Sequence, residues 1–353
     1  MSDELLRVAA ELRRTANPPG DAASAAELRD GFGRRIEYLR ISVTDKCNLR
    51  CVYCMPEEGL PWLRRSEILS YEEIAAVVRV MAAMGLRRVR LTGGEPLVRR
   101  DLPELVRLLA AVPQIEDISL STNAVLLQDL AAPLRAAGVH RVNISLDSLR
   151  PERIDAIARR AGSHTAILAG LEAAERAGLA PIKVNAVIMR GRNDDEIEDF
   201  ARMTVERPWH VRFIEVMPVG ENTAISANEY VPAVEMLARL RTMGDLAPVA
   251  GPAGNGPASY FQLPGARGTV GVITPMSHNY CERCNRMRLT ASGGLRPCLF
   301  GDLETDLRAA LRSGEPLEPL IRRTLEIKPE RHTLIQGSDR GSGGLRALSQ
   351  VGG

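Results

Sequence analysis

The sequence predicts an α/β fold: a parallel sheet closed or nearly closed into a barrel, followed by a second, smaller module. Three observations carry that prediction. Six short β-like runs alternate with longer helical ones: IEYLRISV (36–43), RRVRLT (87–92), IEDISLST (115–122), HRVNISLD (140–147), PIKVNAVI (181–188) and VRFIEVM (211–217). Such alternation is the pattern of right-handed β–α–β crossovers. The intervening segments carry helix start and stop signals. Ser70/Glu73, Asp101/Glu104 and Asn193/Glu196 have capping-box spacing or its Asp/Asn analogue, and Gly85, Gly138 and Gly178 stand where helices would end. After residue 220 the alternation stops, at a Pro/Gly-rich break (PVAGPAGNGPA, 248–258) and a stretch that reads as an antiparallel hairpin around Pro264-Gly265 (259–274).

A chain of 353 residues accommodates this plan, since α/β barrels take about 250 residues. Residues 1–33, rich in Pro, Gly and Ala, read as a flexible extension, 34–220 as the barrel, 221–340 as a second module, and 341–353 as a mobile tail ending in Gly352-Gly353.

The strands alternate in polarity, whereas parallel strands covered on both faces usually read as continuous apolar runs. One parity carries Leu39, Ile41, Val43, Val89, Leu91, Val142, Ile144, Leu146, Ile182 and Val184. The other carries Arg40, Ser42, Arg90, Thr92, Ser119, Ser121, Asn143, Ser145, Asp147, Lys183 and Asn185. If the apolar parity faces the helices, the polar parity lines the interior, and a charged interior is costly unless water or a ligand solvates it. An open sheet with these residues in solvent is the alternative.

Apolar residues at 45% and charged residues at 25% are ordinary globular usage. A net charge of +2 gives no broad basic footprint for nucleic acid or membrane, no apolar run reaches the length of a membrane span, and the opening residues MSDELLRVAAELRRTANPPG lack the apolar core of a secretory signal. The expectation is a cytoplasmic protein. There, six cysteines are more readily metal ligands or buried thiols than disulfides.

The cysteines form two groups of three. Cys47, Cys51 and Cys54 have the spacing C-x3-C-x2-C directly after the first strand, and Cys281, Cys284 and Cys298 form C-x2-C-x13-C. Three thiolates suit a four-iron cluster with one iron left open. Zinc is the competing ligand, more so for the second group, where His278 could complete a Cys3His set.

With Tyr53 before its last cysteine and Thr92-Gly93-Gly94-Glu95-Pro96 ending the second strand, the first group resembles the signature of the radical S-adenosylmethionine (SAM) superfamily. Adding NYCERCNRMRLTASGGLRPCL, VNISLD, IKVNAVI and the terminal Gly352-Gly353, residues 34–353 closely resemble the MoaA family of GTP 3′,8-cyclases. That resemblance implies an incomplete (β/α)6 barrel, like a partial TIM barrel, with its open side covered by a C-terminal module that carries a second iron–sulfur cluster. It implies one [4Fe-4S] cluster on Cys47, Cys51 and Cys54 and another on Cys281, Cys284 and Cys298. Implied SAM contacts are Tyr53, Gly94, Ser145 and Met217, with the Gly-Gly-Glu run meeting the SAM amino group. Implied GTP contacts are Arg40, Arg90, Ser121 (where the family is expected to have Thr), Lys183, Arg286, Met287 and Arg288, with Arg212 as a weaker candidate. Arg286, Arg288, Gly352 and Gly353 are the implied catalytic positions, the double glycine entering the active site. The implied reaction uses a 5′-deoxyadenosyl radical to abstract the ribose 3′ hydrogen and gives (8S)-3′,8-cyclo-7,8-dihydroguanosine 5′-triphosphate, the first step of molybdenum cofactor biosynthesis. It requires an external electron donor, and the next enzyme of the pathway, cyclic pyranopterin monophosphate synthase, is the expected functional partner; a homodimer is left open. Two readings compete: a peptide-modifying radical SAM enzyme with an auxiliary cluster, and a structural protein with two zinc sites.

Overall fold

The computed structural model describes residues 27–217, 227–254, 256–332 and 346–352. Six strands, β1 (Tyr38–Ser42), β2 (Arg88–Thr92), β3 (Asp117–Thr122), β4 (Arg141–Ser145), β5 (Lys183–Ile188) and β6 (His210–Glu215), pair in parallel in chain order. They are joined by α1 (Tyr71–Ala83), α2 (Leu102–Ala110), α3 (Leu127–Ala137), α4 (Pro151–Ala158) with α5 (Ser163–Arg176), and α6 (Ile197–Glu206). Then follow α7 (Ala233–Arg241), β7 (Ala247–Val249), β8 (Ser259–Gln262), β9 (Thr269–Ile273), β10 (Arg286–Leu289), β11 (Gly294–Arg296), β12 (Thr305–Asp306), α8 (Leu307–Ser313), α9 (Leu317–Glu326) and α10 (Leu348–Val351). Among the described residues no helix is long and apolar enough to cross a membrane.

The second module does not simply pack on the first. Its strands continue the same sheet from both edges, in the order β12-β11-β10-β1-β2-β3-β4-β5-β6-β9-β8-β7. β9 lies parallel to β6 and β10 parallel to β1, while β7, β8, β11 and β12 add antiparallel arms. The sheet therefore ends not at the barrel strands but at arms built from the C-terminal residues, and the barrel stays unclosed.

The apolar parity packs where expected. Leu39, Ile41, Val89, Leu91, Val142, Ile144 and Val184 are fully buried and join one core with Ile74, Val77, Val78 and Met81 of α1 and Leu102, Leu105, Val106 and Leu109 of α2. Those helix residues recur at intervals of three and four, one stripe of a 3.6-residue period. Ser70 caps α1 reciprocally: its Oγ accepts from the Glu73 amide at 3.1 Å, and the Glu73 carboxylate accepts from the Ser70 amide at 2.7 Å.

Some sequence expectations differ from the structure. Asn193 and Glu196 do not cap a helix. Asn193 donates to the carbonyls of Asp147 and Val187, and Glu196 accepts from Ser148 Oγ and the Leu149 amide, so the pair ties the ends of β4 and β5 together. Asp101 likewise precedes α2 without a side-chain cap. Residues 27–33 are not a free lead-in: Leu28 is buried in the core, and its amide donates to the Met84 carbonyl at 2.8 Å. Residues 346–352 are not a mobile tail either, since Val351 is buried; residues 1–26, 341–345 and Gly353 lie outside the described set.

Glu215, fully buried at the end of β6, joins barrel to module. It accepts from Tyr230 Oη (3.0 Å), the Ala233 amide (2.9 Å), the Met276 and Ser277 amides (3.0 Å each) and Ser277 Oγ (2.5 Å). Replacing it with Ala leaves these donors without an acceptor, at about 1–3 kcal/mol for each that stays buried. Glu215→Ala is expected to lower the denaturation midpoint by the equivalent of about 3 kcal/mol. An unchanged midpoint in urea titration would show that the network contributes nothing net.

Candidate active site

The polar parity forms one buried face. Cross-strand register places Arg288, Arg40, Arg90, Ser119 and Arg141 in a single row across β10, β1, β2, β3 and β4, and Lys183 and Arg212 follow through Asn143 and Asn185. Arg90, Arg141, Lys183, Arg212 and Arg288 are all nearly inaccessible to solvent. The face is concave, because Arg212 on β6 lies close enough to Arg90 on β2, four strands away, for its charge to add to the burial that lowers Arg90. Neutral groups meet most of these cations. Arg90 Nε donates to Ser119 Oγ (3.2 Å) and its guanidinium lies over the Tyr38 ring (5.3 Å), while Arg212 donates to Asn185 Oδ1 (2.8 Å) and Asn143 Oδ1 (3.0 Å). Burial, then the neighbouring Arg212, Arg90 and Arg141 charges, pull the Lys183 ammonium down to about 6. Burial and the adjacent Arg286 bring Arg288 down to about 10, and burial together with Arg288 lowers Arg40. These shifts reflect burial first and the crowding of like charge second.

Of the expected GTP contacts, Arg40, Arg90, Ser121, Lys183, Arg286 and Arg288 share this face, as does Arg212. Met287 does not. It pairs with Leu39 and is fully buried in the apolar core, because alternate residues of a strand face opposite ways. Only its main chain could reach a ligand on the polar side.

The first cysteine loop follows β1, at the C-terminal end of the barrel strands. The Arg50 and Val52 amides donate to the carbonyls of Ala158 and Ile157 at the end of α4 (2.9 and 3.0 Å), and the Cys54 and Met55 amides donate to the Cys51 carbonyl (2.9 and 3.2 Å). The turn so anchored holds Cys47 and Cys54 near Cys51. All three are free thiols; burial pushes Cys47 up to about 11 and Cys54 to about 12, and raises Cys51 with a further push from Asp147 and the two other thiols. Iron binding must therefore drive their deprotonation. Among the described residues no three His, Cys, Asp or Glu side chains gather around one point as a single metal ion would need. Each thiolate of a four-iron cube binds a different iron, so that convergence is not required of them.

The expected SAM contacts lie at the same end: Tyr53 in the loop after β1, Gly94 after β2, Ser145 ending β4 and Met217 after β6. Tyr53 Oη donates to Asp147 Oδ2 at 2.7 Å. Gly94 has no space for a side chain, since a Cβ would lie 2.3 Å from the Lys46 carbonyl and 2.6 Å from that of Asp45. Glu95 also has a structural role: its buried carboxylate accepts from Thr122 Oγ1 (2.7 Å), the Asn123 amide (2.7 Å) and the Leu97 amide (3.0 Å), and so staples β2 to β3. Burial pushes it up to about 7 despite these donors.

The second cysteine group lies at the opposite end, because Cys281 and Cys284 precede β10, whose first residue pairs with the first residue of β1. Cations surround it. Lys328, itself buried, donates to Cys284 Sγ (3.6 Å) and to the carbonyls of Arg286 (3.1 Å) and Pro297 (2.5 Å), clamping the two segments that carry Cys284 and Cys298. Arg34 donates to the Cys281 carbonyl at 2.7 Å. Burial alone would raise the Cys284 thiol, but Arg286 and Lys328 outweigh it and bring it down to about 7. His278 is engaged elsewhere, its amide donating to the Thr274 carbonyl (3.3 Å) and its ring meeting Ser277 Oγ (3.2 Å).

Gly352 meets the polar face. Arg288 Nη1 donates to the Gly352 carbonyl, and Gly352, at φ +73°, packs so that a Cβ would lie 2.9 Å from Thr92 Cγ2. Side-chain-bearing residues rarely adopt that conformation, and the contact leaves no space for one.

The sequence reading missed Arg141, Asp117, Lys328 and Arg34. Parity could have found Arg141, two residues before Asn143 on β4; nothing in the local pattern marks Lys328, beyond the end of α9.

A parallel sheet with one cysteine loop at the C-terminal end of β1 is the arrangement of radical SAM enzymes, and residues 41–204 match the Radical SAM superfamily while 209–334 match Molybdenum Cofactor Synthesis C. The chain uses SAM and an iron–sulfur cluster. It is 51% identical over 331 residues to the GTP 3′,8-cyclase of Pelotomaculum thermopropionicum, covering 92% of this chain and 100% of that one. It is 51% identical over 329 residues to that of Moorella thermoacetica (92% and 100%) and 45% identical over 331 to that of Listeria monocytogenes (92% and 99%). The chain belongs to the GTP 3′,8-cyclase family. Among solved structures, Streptococcus suis SuiB bound to S-adenosylmethionine superposes with TM-score 0.58 at 14% identity, over 77% of this chain and 63% of SuiB, a likeness of fold alone.

The electrostatics of the two cysteine groups differ enough to measure. In metal-free, reduced protein at about pH 7.5, Cys284 is expected to alkylate ahead of Cys47, Cys51 and Cys54, because the thiolate is the reactive form. Lys328→Met is expected to slow it. Equal labelling rates by mass spectrometry would contradict the electrostatic reading.

Proposed function

We propose that this chain performs the family's reaction, converting GTP to its 3′,8-cyclised dihydro triphosphate, with Cys281, Cys284 and Cys298 holding a second [4Fe-4S] cluster beside the guanine. One observation carries this reading: the cation-lined concave face between the two cysteine groups. Buried like charges of this density call for a polyanion, and a triphosphate offers oxygens that Arg binds in bidentate fashion and Lys as a point charge.

When bound, the first cluster and SAM would supply the hydrogen-atom abstraction that opens the ribose 3′ carbon to bonding with C8 of the same nucleotide's guanine, the cyclised base then taking one electron and one proton to reach the dihydro product. The protein's part is placement. Tyr53, oriented by Asp147, together with Gly94, Ser145 and Met217, would hold SAM at the C-terminal end of the strands. Arg40, Arg90, Lys183, Arg212, Arg286 and Arg288 would hold the triphosphate, and Ser121, already accepting from Asn143 at 3.3 Å, would orient a neighbouring polar group. Two reacting carbons of one nucleotide, fixed between two ends of the barrel, gain the advantage of an intramolecular reaction. The tail at Gly352 closes the face, with Arg288 gripping its carbonyl. Gly353, proposed as its partner in the active site, lies outside the described residues. An external reductant would supply the electrons, and cyclic pyranopterin monophosphate synthase, the next enzyme of molybdenum cofactor biosynthesis, would be the functional partner.

The test is anaerobic incubation of the purified protein with SAM, GTP and dithionite, followed by mass analysis. The expected products are 5′-deoxyadenosine, methionine and a cyclised guanosine triphosphate isomeric with GTP. Cleavage of SAM with GTP recovered unchanged would overturn the substrate assignment in favour of another radical SAM reaction.

A further inference from the structure

We infer that Arg141 is a further substrate-positioning residue, one that reads the terminal phosphate of the nucleotide and makes the site distinguish a triphosphate from shorter chains. This inference rests on the GTP reading above and deepens it. Arg141 opens β4 and is 4% exposed. Its Nη1 is held by Asp117 Oδ1, from the first residue of the neighbouring β3. Its Nε and Nη2, the edge that a guanidinium offers side-on to an oxyanion, have no partner among the described residues.

That open edge points at a defined place. A side-chain atom at Gly254 would lie 3.0 Å from Arg141 Nη2, 3.2 Å from Arg141 Nε and 3.1 Å from Lys183 Nζ. Three side-chain nitrogen donors, two of Arg141 and one of Lys183, therefore border the space before Gly254, and only a residue without a side chain leaves it clear. The same loop supplies the carbonyl of Ala253, which accepts from Lys183 Nζ at 2.6 Å, and Gly256, where a Cβ would come within 3.4 Å of Arg212 Nη1. The Pro/Gly-rich segment of the C-terminal module thus forms a wall against which Arg141, Lys183 and Arg212 converge.

Strand geometry says which phosphate sits there. Ser145, at the SAM end, and Arg141 lie on the same face of β4 four residues apart, roughly 13 Å along the strand. The ribose must approach SAM, so the phosphate chain runs away from it, and the last phosphate is the one that reaches the first residues of β4 and β5. Asp117 is the orienting partner: by occupying Nη1 it fixes the guanidinium plane and turns the Nε–Nη2 edge toward the nucleotide.

The experiment is equilibrium binding of GTP, GDP and GMP to the anaerobic, cluster-loaded protein. Arg141→Gln is expected to weaken GTP binding by roughly ten- to a hundredfold while GDP and GMP change little, so that the preference for the triphosphate collapses. Because losing Arg141 alone strands a buried carboxylate, the double variant Arg141→Met/Asp117→Asn removes the pair together and is expected to show the same selective loss. Arg141→Lys should recover part of it. Equal weakening of all three nucleotides, or unchanged GTP affinity, would overturn the role of Arg141. Wild-type protein that binds none of the three would instead overturn the GTP reading itself.

Discussion

Buried positive charge is the constraint on which the rest of the structure depends. Arg40, Arg90, Arg141, Arg212 and Arg288 face one another across a curled sheet beside Lys183, which burial and their charges push toward its neutral form, and Asp117 is paired with only one of the arginines. Bringing cations together out of water is unfavourable unless counter-charge arrives. The fold bears that cost because the opposite face of the same strands packs into a continuous apolar core. Stability is thus concentrated on one side of the sheet and the proposed ligand contacts on the other.

The sheet's continuation from both edges gives this face its two ends. The first cysteine loop follows β1, whereas Cys281 and Cys284 of the second group precede β10, which lies parallel to β1 and in register with it, and Cys298 follows the antiparallel β11 back to the same end. The length of a five-residue strand, about 17 Å, therefore separates the two ends. A closed eight-stranded barrel would fill that interior with side chains. Here the C-terminal residues return to extend the sheet, place Arg286 and Arg288 beside Arg40, and bring Gly352 against Thr92.

Much of this was legible in the sequence, because strand parity is a strong constraint. Register cannot slip by one residue without exchanging Leu39 and Ile41 for Arg40. Parity also carried Arg90, Lys183 and Ser121 to the correct face. It would have excluded the Met287 side chain, since the middle residue of Arg286-Met287-Arg288 must point the other way; the family resemblance, which supplies a contiguous run, concealed that. Arg141 escaped because it stands at a strand's first residue, where boundaries are least distinct in sequence. Asn193, Glu196 and Glu95 carried helix-start or ligand-binding signals, yet in the fold their polar atoms meet donors and acceptors on loops distant in sequence. Local spacing holds no information about such partners. Lys328 belongs with them, as its role exists only once the segments bearing Cys284 and Cys298 come together.

On the proposed function, the polar face binds a polyphosphate through charge, and the guanine adds to an affinity already present. The most direct measurement is thermal unfolding of the anaerobic protein with inorganic tripolyphosphate or with guanosine at equal concentration. A ligand that binds only the folded state raises Tm by mass action, and electrostatic binding weakens as salt screens it. The account predicts that tripolyphosphate raises Tm, by an amount that shrinks as salt is added, and that guanosine raises it less. A Tm unmoved by tripolyphosphate, or moved more by guanosine, would contradict it.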